Sequence, residues 1–243
     1  MKKILFLLLG MLLGCSENET PLYVSLETDS IEVSYKEDKI LKVDSNDEFF
    51  QVDVEDRYFI DASRQSPDEI LISGLKVGET KIVVSSGYAS DVCVVKVKPV
   101  DDLIGTPIVA LGKASAYITQ HEDAELINLY PNLMYYDDVP FGASHVYYLE
   151  SDLVSHIITT IGISRLNSNF NLYGISLSNS LRERYEYVKT QDETYRNIIY
   201  FKYKNEFYIG LTKGLGNGDW YICYAKTMED VKKHLDKHPS SGI

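Results

Sequence analysis

The chain has 243 residues, 44% of them hydrophobic, enough to build packed cores and too many for a disordered polymer. Thirty-six Asp and Glu against 24 Lys and Arg give a formal net charge of −12. That sign excludes nucleic acid as the main ligand, because a phosphate backbone is bound by cationic side chains that displace its condensed counterions.

Lys2 and Lys3 precede an apolar run from Ile4 to Leu13, which leads into Gly14 and Cys15. The run is about ten residues long, whereas a helix that crosses a bilayer needs about 20. A basic start, a short apolar stretch and small residues at a cut site read as a removable export signal over residues 1–14. With cysteine at the cut, Leu12-Leu13-Gly14-Cys15 resembles the lipobox of bacterial lipoproteins. The resemblance implies acylation of the Cys15 thiol and a stable membrane anchor, since two or more acyl chains hold a protein on a bilayer. Residues 15–21 then form a polar tether, and loss of Lys2 and Lys3 leaves a charge of −14. The acidic residues after Cys15 are similar to the export tag of surface lipoproteins. That implies an outer-membrane protein displayed on the cell surface, with a periplasm-facing position as the alternative.

Residues 22–99 read as strands only. Ile31, Val33 and Tyr35 share a face opposite Glu32 and Ser34, and Phe50, Val52 and Val54 oppose Gln51, Asp53 and Glu55. Eight strands are expected, at 23–27, 30–35, 39–44, 49–54, 58–62, 69–73, 80–85 and 91–98, separated by turn residues as in an all-β sandwich. Cys93 falls on the apolar face of the last strand with Val95 and Val97. The acidic group Asp44, Asn46, Asp47, Glu48, Asp53, Glu55 and Asp56 lacks the glycine and closing glutamate of an EF-hand. It reads as the solvated side of alternating strands. The run from Ile70 through Gly74-Leu75, Gly78 and Thr80 to Val84, followed by Asp91–Pro99, resembles bacterial Ig-like domains of the Big-2 type. The resemblance implies a seven-stranded Ig-like sandwich acting as a spacer or adhesion module without a catalytic site.

Residues 106–238 read as an α+β domain. A helix is expected at 113–122, then strands at 133–137, 144–150 and 153–163. A second helix is expected at 177–189, capped by Ser176 or Ser178, with Leu177, Leu181, Arg184, Tyr185 and Val188 along one side. Strands at 197–203, 206–212 and 220–225 follow. Thr227 then caps a last helix with Glu229 and Asp230 in its first turn, where the helix dipole favours acid. The order predicts a duplicated α-βββ unit of about 60 residues with helices packed on antiparallel sheet. The layout looks like the tandem helix-on-sheet arrangement of β-lactamase-inhibitor-like and small outer-membrane assembly lipoproteins, which implies protein binding.

The sequence nominates no catalytic, metal or cofactor set. The five histidines show no metal-ligand spacing, and His234 with His238 reads as a solvated helix end. No nucleophile elbow is present. The Gly214–Gly218 run leads into a strand and not a helix, so it is a hairpin turn and not a phosphate loop. Tyrosine is the unusual component: 15 of 19 lie beyond residue 100. Tyrosine and tryptophan dominate binding hot spots. The binding candidates are Trp220, Tyr208, Tyr221 and Tyr147, on strands beside tight turns. The expectation is a non-catalytic, lipid-anchored envelope protein that binds another envelope protein. Glycan binding and an unrecognised hydrolase are the alternatives.

Overall fold

The computed structural model describes residues 21–100, 107–138, 142–162, 170–192, 196–214 and 218–237; Cys15, the leader and His238 lie outside them. The first eight strands are β1 Val24–Leu26, β2 Ser30–Ser34, β3 Asp38–Ser45, β4 Gln51–Val54, β5 Ile60–Ser66, β6 Glu69–Gly74, β7 Gly78–Ser86 and β8 Ala89–Lys98. They form two four-stranded sheets, ordered β1-β3-β6-β5 and β2-β8-β7-β4. The alternation seen in the sequence sends Ile31, Val33, Leu41, Ile60, Ile70, Ile72, Ile82, Val84, Cys93 and Val95 into one shared core. Burying each such aliphatic side chain contributes roughly 1.5–3 kcal/mol, which fixes the strand register. The eight expected strands are all present, with shifted ends.

The remaining elements are α1 Ser115–His121, β9 Glu125–Tyr130, β10 Leu133–Asp138, β11 Ala143–Glu150, β12 Leu153–Ile161, α2 Phe170–Arg184, β13 Glu186–Asp192, β14 Asn197–Tyr203, β15 Phe207–Lys213, β16 Trp220–Ala225 and α3 Met228–Lys237. Their strands make one antiparallel sheet in the order β13-β14-β15-β16-β12-β11-β10-β9. Each half is a four-stranded meander, and the halves join through their last strands, β12 and β16. The repeating unit is therefore a helix with four strands, not three. The expectation missed β9 and β13, the two edges. Residues 186–189 belong to β13 and not to a helix. Leu177, Leu181 and Tyr185 are buried as the helical stripe required, but Val188 lies exposed on the strand. The β-branched and aromatic sequence Tyr187-Val188-Lys189-Thr190 suits an extended edge better than a continuing helix. The helix begins at Phe170 and not near 177, so Ser176 and Ser178 both sit within it and neither caps its start.

The two faces of this sheet are covered differently. Ile118 of α1 and Leu177 and Leu181 of α2 join Met134, Tyr147, Ile157, Phe201, Ile209 and Ile222 in the large core. Val231 and Leu235 of α3 pack with Ile158, Ile198, Tyr200, Cys223 and Ala225 on the opposite face. Gly210 makes that approach feasible: a Cβ there would stand 2.4 Å from Val231 Cγ1 and 2.9 Å from Leu235 Cδ1.

The sandwich meets the sheet domain at the end of α2. The last carbonyls of a helix have no partner within it. Here Lys76 Nζ donates to the carbonyls of Arg182 (2.5 Å) and Tyr185 (3.0 Å). The Val77 amide donates to Glu183 O at 2.8 Å, and the Tyr58 hydroxyl to Arg184 O at 3.0 Å. Lys204, at the β14–β15 turn, pairs with Asp56 at 2.6 Å and lies over the rings of Tyr58, Phe59 and Tyr203.

Candidate functional site

Strand register decides which face each aromatic side chain occupies. Tyr147 pairs with Ile157 and Trp220 with Ile161, and all four belong to or pack against the core beneath α1 and α2. Tyr147 is fully buried, and its hydroxyl donates to the Glu122 carboxylate, which also accepts the amides of Ile108 and Ala124. Burial, and secondly that carboxylate, push the Tyr147 phenol well above its ordinary pKa. The Trp220 ring lies against Gly174 of α2, where a Cβ would stand 2.4 Å from Cζ2. Its buried Nε1 makes no hydrogen bond among the described residues. These two candidates are packing residues.

Tyr208 and Tyr221 point the other way. Together with Tyr148 they are half-buried around the apolar strip under α3. Register places Tyr135 and Tyr130 on the same face: Tyr148 pairs with Leu133, which pairs with Tyr130, and Tyr135 pairs with Val146, itself paired with Ile158. The helix α3 packs on β15 and β16. Among the described residues no helix covers β9–β11 on this side. The result is a tyrosine-lined surface running from α3 to the sheet edge. That edge, β9, exposes Leu126, Ile127, Leu129 and Tyr130, with Leu129 64% accessible. An apolar edge strand is a template for pairing with another chain.

The structure thus brings two of the four candidates, Tyr208 and Tyr221, to one face and sets Tyr147 and Trp220 on the other. Sequence reasoning missed Tyr148 and Tyr130. Alternation sets Tyr147 and Tyr148 on opposite faces but does not say which of the two faces is covered.

A ring ladder marks the border between α3 and the tyrosine surface. Tyr148 stacks on His156 with centroids 4.3 Å apart, and His156 stacks on His234 of α3 at 3.4 Å. His234 is therefore no solvated helix end. Ser155 Oγ donates to Tyr148 O at 3.1 Å and lies 3.0 Å from His156 Nδ1.

Cys93 and Cys223 are both buried and free, and burial raises both thiol pKa values, Cys93 to about 11. Neither is poised as a nucleophile. Among the described residues no group of three His, Cys, Asp or Glu side chains could hold a metal ion. No described helix is long and apolar enough to cross a membrane.

No family model matches the chain, and no curated protein sequence does. Solved structures overlap it weakly. Domains 4 and 5 of the S-layer protein SbsC share 15% identity over 30% of this chain and 50% of that one, at a TM-score of 0.27. SbsC domains 1–6 share 11% identity over 79% of this chain and 24% of theirs, at 0.29. An endo-fucoidan hydrolase of glycoside hydrolase family 107 shares 11% over 88% and 26%, at 0.28. The chain spans half or less of each of these. Overlap at this level assigns neither fold family nor function.

Proposed function

We propose that the chain is a lipid-anchored envelope protein that binds another protein through the uncovered part of the eight-stranded sheet. In this reading Cys15 carries the lipid on the outer membrane, and the two-sheet module is an Ig-like domain of the Big-2 type that holds the binding domain away from the bilayer. One observation carries the binding role: Tyr130, Tyr135, Tyr148, Tyr208 and Tyr221 share one sheet face that continues into the apolar edge β9. Tyrosine offers a large, rigid contact area with a polar tip at low entropic cost, which suits a protein interface.

The test is capture of envelope proteins by the purified chain, alongside a glycan array. Tyr148→Ala with Tyr221→Ser should abolish capture while leaving the circular dichroism spectrum intact. Tyr117→Ala, on exposed α1, should leave capture unchanged. Retained capture in the double variant removes the proposed face, and glycan binding lost in that variant replaces the protein partner with a sugar.

A further inference from the structure

We propose that the stacked His156–His234 pair is an acid-sensitive latch that holds α3 on the sheet and releases it when the surroundings acidify. The consequence for partner binding rests on the function proposed above; the latch itself rests on the following geometry.

Two imidazole rings lie nearly parallel, 12° between planes, with centroids 3.4 Å apart. One ring belongs to β12 and the other to α3, so the contact spans the helix–sheet interface. Neutral rings stack favourably in this arrangement. Two imidazolium rings at the same spacing repel, and a partly buried site screens that repulsion less than water does. Tyr148, on the other side of His156, leaves that ring no room to swing away without breaking the second stack.

Among the described residues, the charged and titratable groups near the pair include Asp230, Lys233 and Lys237 on α3, Glu150 and Tyr148 on β11, Tyr208 on β15 and Cys223 on β16. Between pH 7.5 and 5.5 the raised phenol of Tyr148 and thiol of Cys223 keep their protons. Imidazole is the side chain that ordinarily changes charge in this window. Burial, then Lys233 and Lys237, hold the His234 pKa below its ordinary value. A released helix therefore takes up a proton more readily than a docked one. Docking is fully stable above the ordinary histidine pKa of about 6.5 and weakens as pH falls below it.

Release would uncover Ile158, Ile198, Cys223 and Ala225 beside Tyr148, Tyr208 and Tyr221. The proposed binding face would then be larger and more apolar in acid than at neutral pH.

The experiment is hydrogen exchange by mass spectrometry on the full chain at pH 7.5, 6.5 and 5.5, corrected for intrinsic rates. Protection of residues 228–237 should fall as the pH is lowered from 7.5 to 5.5, while β7 and β8 stay unchanged. His234→Phe keeps a stacking ring without a proton site and should diminish the pH response of α3 protection; His156→Phe, which removes the facing imidazole, should diminish it as well. Wild-type α3 protection that does not change with pH overturns the latch, as does an undiminished pH response in either folded phenylalanine variant. Partner capture by Tyr130→Ala at pH 7.5, at the sheet edge and outside the ring ladder, tests the binding face separately, so failure of one is distinguishable from failure of the other.

Discussion

Trp220 shows how a residue chosen for exposure can be a packing residue. A lone tryptophan beside a tight turn reads as a contact residue, yet its ring fills the space left by Gly174 on α2. Trp220→Ala should cost about 3–4 kcal/mol of stability, from lost burial and the cavity left behind, and should leave partner capture unchanged at temperatures where the variant stays folded. Urea unfolding and capture measured on one preparation check both. Tyr147→Phe should cost about 1–2 kcal/mol, because the Glu122 carboxylate loses a donor but keeps two amides. Which tyrosines face the surface was not legible from alternation. Both faces of this sheet are partly buried, so Tyr147 and Tyr148 look alike until register and helix placement are known.

At the level of elements, α3 was the most legible. Thr227 Oγ1 accepts the Asp230 amide at 3.0 Å, as a cap should, and Val231 and Leu235, four apart, bury one face. What the sequence concealed is the space α3 requires. Gly210→Ala places a methyl into Val231 and Leu235, and should destabilise the protein by about 1–3 kcal/mol. The loss should appear first as faster exchange across residues 228–237. The far end of α2 was illegible for a different reason: its partners lie about a hundred residues away, on Lys76, Val77 and Tyr58. Lys76→Met removes both a charge favoured at a helix C-terminus and two hydrogen bonds. It should cost about 1–2 kcal/mol, read as a lower urea midpoint at 25 °C. Edge strands β9 and β13 escaped because an edge need not alternate: β9 is exposed along its whole length.

For the molecule as a whole, the sandwich strands were legible because one buried face imposes period two on every strand. The duplicated order of the second region was also visible, short by one strand per half. The junction was not. A spacer joined only by a chain segment would move freely, but here the sandwich supplies the caps of α2 and an ion pair to Lys204. It follows that the sandwich and the sheet domain should unfold together, and that Lys76→Met combined with Tyr58→Phe should split a single transition into two. Calorimetry of the wild type and the double variant checks this.

The binding role is tested most directly by photo-crosslinking in intact cells, with a photoreactive amino acid placed at Tyr148, at Leu129 or at Tyr117. The account predicts one discrete protein adduct from positions 148 and 129 and none from 117. Adducts from 117 alone, or no protein adduct from any of the three, would contradict it.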